Sequence, residues 1–138
     1  MNYLEKLRHS AAHVLASAVK EIFPEAKLAI GPPIENGFYY DFDFRPFSPE
    51  DLKSIEDRSK QIIRQNLPFK KSRKTKAQAR KLLKDEPYKL ELLKDLKEGE
   101  ITFYSHGDFQ DLCAGPHIEN TSEIKSFMII KTAGAYWK

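Results

Sequence analysis

The sequence predicts an α+β fold, a single domain over residues 1–138 with a long N-terminal helix enclosed by the rest of the chain. Three observations carry this. Apolar residues recur with a helical period from Leu4 to Ile22, alternating aromatic residues follow an Asn36-Gly37 pair, and no repeat or linker-like tract divides the chain. A chain of 138 residues has room for one real core and not for two comfortable ones.

Leu4, Leu7, Ala11, Leu15, Ala18, Val19 and Ile22 share one helical face, so residues 3–23 read as an amphipathic helix that Pro24 stops. At about 100° per residue, His9 and His13 fall about 140–180° from the centre of that stripe. By pattern they are not core histidines. The small Ala12 and Ala16 beside them let another element approach closely, as expected of an enclosed helix. "KLAIGPPIENGFYYDFDF" then reads as a β-hairpin turning at Asn36-Gly37. Phe38, Tyr40, Phe42 and Phe44 alternate with Tyr39, Asp41 and Asp43, giving one aromatic and one more polar face. Ser48 caps a second helix, with Pro49 in its first turn and Glu50 and Asp51 at the positive end of its dipole. Leu52, Ile55 and Ile62 carry that helix to about Asn66. A short strand near Phe69–Lys74 follows, Thr75 caps a basic helix, and a further helix runs from Pro87 until Gly99 ends it. "ITFYSH" and "SFMIIKTAGAYW" supply later strands. Between them "DLCAGPH" is irregular, because Gly115-Pro116 excludes a regular helix.

Apolar residues at 41% and charged residues at 31% are ordinary for a folded protein and exclude disorder. The longest apolar run is "FMII", too short to span a membrane, and "NYLEKLRHS" after Met1 lacks the apolar middle of a signal peptide. A single cysteine cannot form an internal disulfide, so a cytoplasmic protein is expected. The net charge of +3 is mild, but its distribution is uneven. Lys70, Lys71, Arg73, Lys74, Lys76, Arg80, Lys81 and Lys84 follow one another with no acid among them. Such a block is a candidate phosphate-backbone surface, with a merely solvated basic face as the even alternative.

Three of the four histidines and the only cysteine form two pairs of equal spacing, His9 with His13 and Cys113 with His117. On a helix the first pair shares a face one turn apart, as two ligands of one atom do. Two His plus Cys plus His is an acceptable tetrahedral zinc set. The same groups can also work without metal, since a neutral imidazole positions or deprotonates water. Asp111, two residues before Cys113, can bind a cationic amine. The plainer alternatives are a turn acid for Asp111 and a small buried hydrophobe for Cys113.

"HSAAH", "AIGPPIENGFYYDF", "PYKLELL", "DLCAGPH" and "KTAGAYWK" occur in order over nearly the whole chain. Together they resemble the editing domain of bacterial-type threonyl-tRNA synthetases, their second N-terminal domain. That domain is related to the alanyl-tRNA synthetase editing domain and to freestanding alanyl-tRNA editing proteins. The resemblance implies a long helix held in a cleft of antiparallel sheet. It implies hydrolysis of Ser-tRNA(Thr) with sparing of Thr-tRNA(Thr), as part of or in trans to the synthetase. The implied partners are the acceptor end of tRNA(Thr) and the synthetase catalytic core. Matched by motif, His9, His13, Lys89, Cys113 and His117 are catalytic, with Lys89 and the histidines handling water. Asp111 and Tyr40 bind substrate, and Lys70, Lys71, Lys74 and Lys76 of the basic run are expected to bind tRNA. In the threonyl branch the ligand-like residues generally work without zinc, whereas the alanyl branch uses them to hold it. No metal is therefore expected, with zinc on His9, His13, Cys113 and His117 as the alternative. The rival functions are a zinc-stabilised, non-catalytic RNA-binding module and an alanyl-type zinc editing protein. The ubiquitin-like domain and class II core of the family have no counterpart here, so the chain is expected not to aminoacylate. It is expected to be either an excised domain or a freestanding editor.

Overall fold

The computed structural model describes residues 1–130. Its first helix, α1 (Tyr3–Ile22), starts where the Asn2 side chain accepts the backbone N–H of Glu5 and ends at Phe23, just before Pro24. Ser10, Ala11, Ala12, His13 and Val14 are all buried. Successive buried residues over more than a full turn mean that this part of the helix is enclosed on every side. His13 is thus inside the protein, at 4% exposure, although it stands off the apolar stripe.

The hairpin is nested. An outer pair, β1 (Lys27–Leu28) with β4 (Phe42–Asp43), encloses an inner pair, β2 (Pro33–Ile34) with β3 (Gly37–Phe38). Ile34 pairs with Gly37, so the loop residues are Glu35 and Asn36, one position earlier than expected. Next, α2 (Pro49–Arg64) opens on a capping box between Ser48 and Asp51. Its buried Ile55, Ile62 and Ile63 pack with Val14, Ala18 and Val19 of α1 in the main core, each contributing about 1.5–3 kcal/mol by leaving water.

The second half of the chain is built around β5 (Lys70–Arg73), β6 (Thr102–His106) and β7 (Phe109–Leu112), one antiparallel sheet in that order. Between β5 and β6 come α3 (Lys76–Leu82), capped by a Thr75–Gln78 box, and α4 (Pro87–Lys94). The latter ends at Asp95, short of Gly99, which lies in the turn before β6. β7 is an addition to the expected elements. It folds back from β6 through a two-residue loop in which Gly107 takes φ +57°, a conformation that favours glycine.

Strand alternation gives this sheet two different faces. Phe103 and Leu112 pair on one face and join Ala79, Leu83, Leu93 and Ile101 in a second core beneath α3 and α4. Tyr104, His106, Phe109 and Asp111 share the opposite face, and the rings of His106 and Phe109 lie 4.8 and 5.1 Å from that of His13 on α1. The helix is therefore enclosed by α2, the nested hairpin and the sheet together, rather than by one continuous sheet. After a turn of 3-10 helix at Thr121–Glu123, residues 126–130 form no strand; Phe127 enters the main core while Met128 and Ile130 are exposed. The remainder of that expected strand, residues 131–138, lies outside the described residues. Among the described residues no helix is long and apolar enough to cross a membrane.

Candidate active site

A cavity of about 300 Å³ lies between α1, the hairpin, α4 and the segment following β7. His9, His13, Tyr40, Lys89, Asp111, Cys113 and His117 all line it, so the structure brings together every residue that the sequence assigned to catalysis or substrate binding. Ile30, Pro32 and Leu92 complete its apolar margin. Gly31 is there for space, because a Cβ at that position would collide with the Tyr40 ring.

One wall is made of imidazoles and a thiol. His117 stacks between His9, with ring centroids 4.4 Å apart, and Phe69, at 5.1 Å. Their protons can be placed from their partners. Fully buried Ser10 accepts the backbone N–H of Ile118 at 3.0 Å, so its own proton goes to His117 Nδ1 at 2.9 Å. His117 then carries its proton on Nε2 and points it at Cys113 Sγ, 3.3 Å away. Cys113 in turn faces His9 Nε2 at 3.6 Å, and His9 Nδ1 donates to the Pro116 carbonyl at 3.3 Å. Every donor in this chain has an acceptor.

Burial keeps these groups uncharged. It pushes His117 down to about 3 and lowers His9, overcoming the opposing hydrogen bond to Pro116. It also pushes the Cys113 thiol up to about 11, so near neutrality the sulfur is protonated.

Donor atoms of His9, Cys113 and His117 lie within 4.8 Å of one another, and these three could hold a metal ion. The alternative four-ligand zinc set would add His13, which does not belong to this close group of three. His13 Nδ1 lies 2.8 Å from His106 Nδ1, and its other nitrogen, Nε2, is the one left on the cavity side. A three-ligand group with an open position is the catalytic type of zinc site, and the outer nitrogens of His9 and His117 are held as such a site requires. The donor set therefore fits zinc as well as it fits the metal-free chain of hydrogen bonds.

The other wall is charged. Lys89 Nζ lies 3.1 Å from Asp111 Oδ2, and the Tyr40 hydroxyl donates to the same oxygen at 3.0 Å. The Lys89 and Asp111 side chains are only 6% and 5% exposed. Burial raises the Asp111 carboxyl, with Lys89 and Tyr40 pulling in the opposite direction. Burial and the adjacent carboxylate also hold the Tyr40 phenol well above its ordinary value. Glu86 places Lys89 from one turn earlier: it accepts the Leu28 N–H and pairs with Lys20 of α1, each at 2.8 Å. This fixes the start of α4 against both α1 and β1.

Sequence reading missed Ser10, Glu86 and His106. The last is 2% exposed, donates from Nε2 toward Ser17 Oγ at 2.9 Å, and is pushed down to about 4 by burial. None of the three carries a motif of its own, although Ser10 sits inside "HSAAH". The basic run lies apart from the cavity lining. Lys70 and Lys71 are exposed, whereas Lys74 and Lys76 are half-buried and Lys76 Nζ donates to the Lys94 carbonyl at 3.3 Å. Register sets Lys71 opposite Tyr104 and Tyr104 opposite Asp111, so Lys71 shares the cavity-side face of the sheet with them.

Residues 101–135 match the family described as the threonyl and alanyl tRNA synthetase second additional domain, a stretch that includes β6, β7 and the segment bearing Cys113 and His117. Over those residues the chain is similar to that family. Its relatives are threonine--tRNA ligases: the one from Dehalococcoides mccartyi is 53% identical over 136 residues, covering 98% of this chain and 23% of the relative. Those from Acetivibrio thermocellus and Lawsonia intracellularis are 54% identical over 135 residues and 52% over 138, covering 95% and 98% of this chain and 21% and 22% of the relatives. The chain thus spans less than a quarter of the length of these relatives.

Proposed function

We propose that this domain edits aminoacyl-tRNA: it hydrolyses Ser-tRNA(Thr) and spares Thr-tRNA(Thr), working with a threonyl-tRNA synthetase core in cis or in trans. One observation carries the reading, the convergence of His9, His13, Tyr40, Lys89, Asp111, Cys113 and His117 on a single cavity. Ester hydrolysis needs a positioned water, a partner for the developing oxyanion and a grip on the amino group. Uncharged imidazoles on α1 accept a proton from the water as its oxygen attacks the ester carbonyl carbon. The bond from that carbon to the ribose oxygen then breaks, and the leaving hydroxyl takes up a proton. Lys89 supplies positive charge beside the reacting centre, and Asp111 supplies negative charge for the substrate ammonium. Cys113, a protonated thiol, forms part of the wall and does not act as the nucleophile.

Selectivity for serine follows from excluding a methyl group. A missing methylene contributes only about 1–3 kcal/mol of discrimination in a binding pocket, so a synthetase site built for threonine rejects serine poorly. A second cavity that is too tight for the extra methyl corrects the error. Tyr40, held by Asp111 and by its close approach to Gly31, gives this cavity a firm wall. The acceptor end of tRNA(Thr) would enter here, while Lys70, Lys71, Lys74 and Lys76 meet phosphates farther away.

Deacylation of Ser-tRNA(Thr), Thr-tRNA(Thr) and Ala-tRNA, measured side by side, tests the reading. Selective loss of the seryl ester is expected. Equal rates on the first two, or no hydrolysis, would reject selective editing, and a preference for Ala-tRNA would assign the alanyl specificity.

We also propose that the site works without metal, since the chain from Ser10 through His117, Cys113 and His9 to Pro116 satisfies its own donors. Elemental analysis of protein purified without chelator should find no stoichiometric zinc, and EDTA should leave turnover intact. About one zinc per chain, required reversibly for activity, would make His9, Cys113 and His117 its ligands. Stoichiometric zinc without any turnover would instead favour an RNA-binding module.

A further inference from the structure

His13 differs from the other imidazoles of the cavity in one respect. Its Nε2 is buried and has no hydrogen-bond partner among the described residues, although the ring is part of the cavity wall. A buried polar nitrogen left open is unusual and points to a ligand or water that completes it. Whether that nitrogen can accept a proton depends on its tautomer, and the residues behind it determine which tautomer is present.

The order of donors runs back from His13 into β6 and returns to α1. Ser17 Oγ donates to the Val14 carbonyl at 2.7 Å, so its proton is committed and it can only accept from His106 Nε2, 2.9 Å away. With its proton on Nε2, neutral His106 presents a bare Nδ1. That nitrogen lies 2.8 Å from His13 Nδ1, which must therefore be the protonated nitrogen of its ring. His13 Nε2 is left with a lone pair toward the cavity.

We propose that His106, held by Ser17, is a positioning residue that fixes His13 in the Nδ1–H tautomer and so makes His13 Nε2 the proton acceptor for the attacking water. The role of His13 in turnover rests on the editing reading above; the tautomer does not. His106 never reaches the substrate. It acts through His13, as the second partner of a catalytic imidazole commonly does.

Nitrogen-15 NMR of the histidine-labelled chain reads the tautomer directly. In the unaltered protein His13 should show a protonated Nδ1 and a bare Nε2. His106→Leu should release that preference and lower kcat by about tenfold or more, with KM little changed. His106→Asn, whose amide oxygen can accept from His13 Nδ1, should restore most of the rate and the tautomer. Ser17→Ala should have a smaller effect in the same direction. A protonated Nε2 on His13 in the unaltered protein would overturn the proposal, even if every His106 variant unfolds. So would a His106→Leu variant that keeps full kcat. A chain that hydrolyses no ester yet shows bare Nε2 on His13 would sink the editing reading and leave the tautomer assignment standing.

Discussion

The two walls of the cavity solve burial in opposite ways. On the imidazole wall, His9, His13 and His117 are brought out of water without charge, and hydrogen bonds replace the lost solvent for every nitrogen placed there except His13 Nε2. On the other wall, Lys89 and Asp111 are buried as an ion pair with Tyr40 on the same carboxylate oxygen. A neutral network tolerates the loss of one member at the cost of a hydrogen bond, about 1–3 kcal/mol when a buried group is left unsatisfied. An ion pair does not, because removing one partner strands a charge in a low-dielectric interior. The charged wall should therefore be the more fragile one.

Lys89→Ala should have the largest effect, on the order of 3–5 kcal/mol by denaturant unfolding, with Asp111→Ala comparable. Lys89 is buried at 4% exposure, so its loss should be felt by the fold as well as by turnover. The loss should also depend on pH. Without Lys89, the Asp111 carboxyl is raised further above its ordinary 3.8. A raised carboxyl contributes stability below its unfolded pKa and loses it as pH rises through the folded pKa. The Lys89→Ala deficit should thus be smallest near pH 4 and grow toward neutrality. Lys89→Met paired with Asp111→Leu should recover much of the stability while abolishing turnover. A double-variant deficit equal to the sum of the two single deficits would show that the charges are not coupled.

The neutral wall should fail at acid pH. His106 and His117 sit at about 4 and about 3 against an ordinary 6.5, so both remain unprotonated in the folded chain over a range where the unfolded chain takes up protons. A depressed group contributes stability above its unfolded pKa and loses it as pH falls toward the folded one. Unfolding free energy should therefore fall steeply from about pH 6.5 toward pH 4, by roughly 3 kcal/mol for a group displaced as far as His106. His106→Leu should flatten this slope even where it lowers stability at neutral pH. An unchanged slope would mean that His106 is not buried as a neutral ring.

Local chemistry explains which parts of this arrangement were legible in the sequence. The caps at Ser48 and Thr75 and the end of α1 before Pro24 involve only near neighbours, and they formed as read. Gly107-Asp108 between "ITFYSH" and "FQDL" was a hairpin signal of the same quality, but the irregular reading of "DLCAGPH" obscured β7. Spacing pointed to His9, His13, Cys113 and His117, whereas Lys89 and Tyr40 came only with the resemblance, and all six line the cavity. Ser10, Glu86 and His106 were not legible, since each derives its role from a distant partner. His106 meets His13 across 93 positions of chain, and no pattern in a single sequence records that. The same limit applies to Lys89, which an isolated short helix presents as surface.

The smallest effect should come from the basic run, which touches neither wall. Reversing Lys70, Lys71, Lys74 and Lys76 to Glu should raise KM for tRNA and flatten its salt dependence, because a phosphate that no lysine neutralises keeps its counterions on binding. The rate at saturating tRNA should change little. The structure sharpens this into a comparison within the run. Lys71 is exposed and lies on the same sheet face as Tyr104 and Asp111, whereas Lys76 has its ammonium on the Lys94 carbonyl. Lys71→Glu alone should then account for more of the KM change than Lys76→Glu alone. If the two are equal, the run acts only through net charge. If the salt slope does not move in the fourfold variant, the run is a solvated face and tRNA is held by other residues.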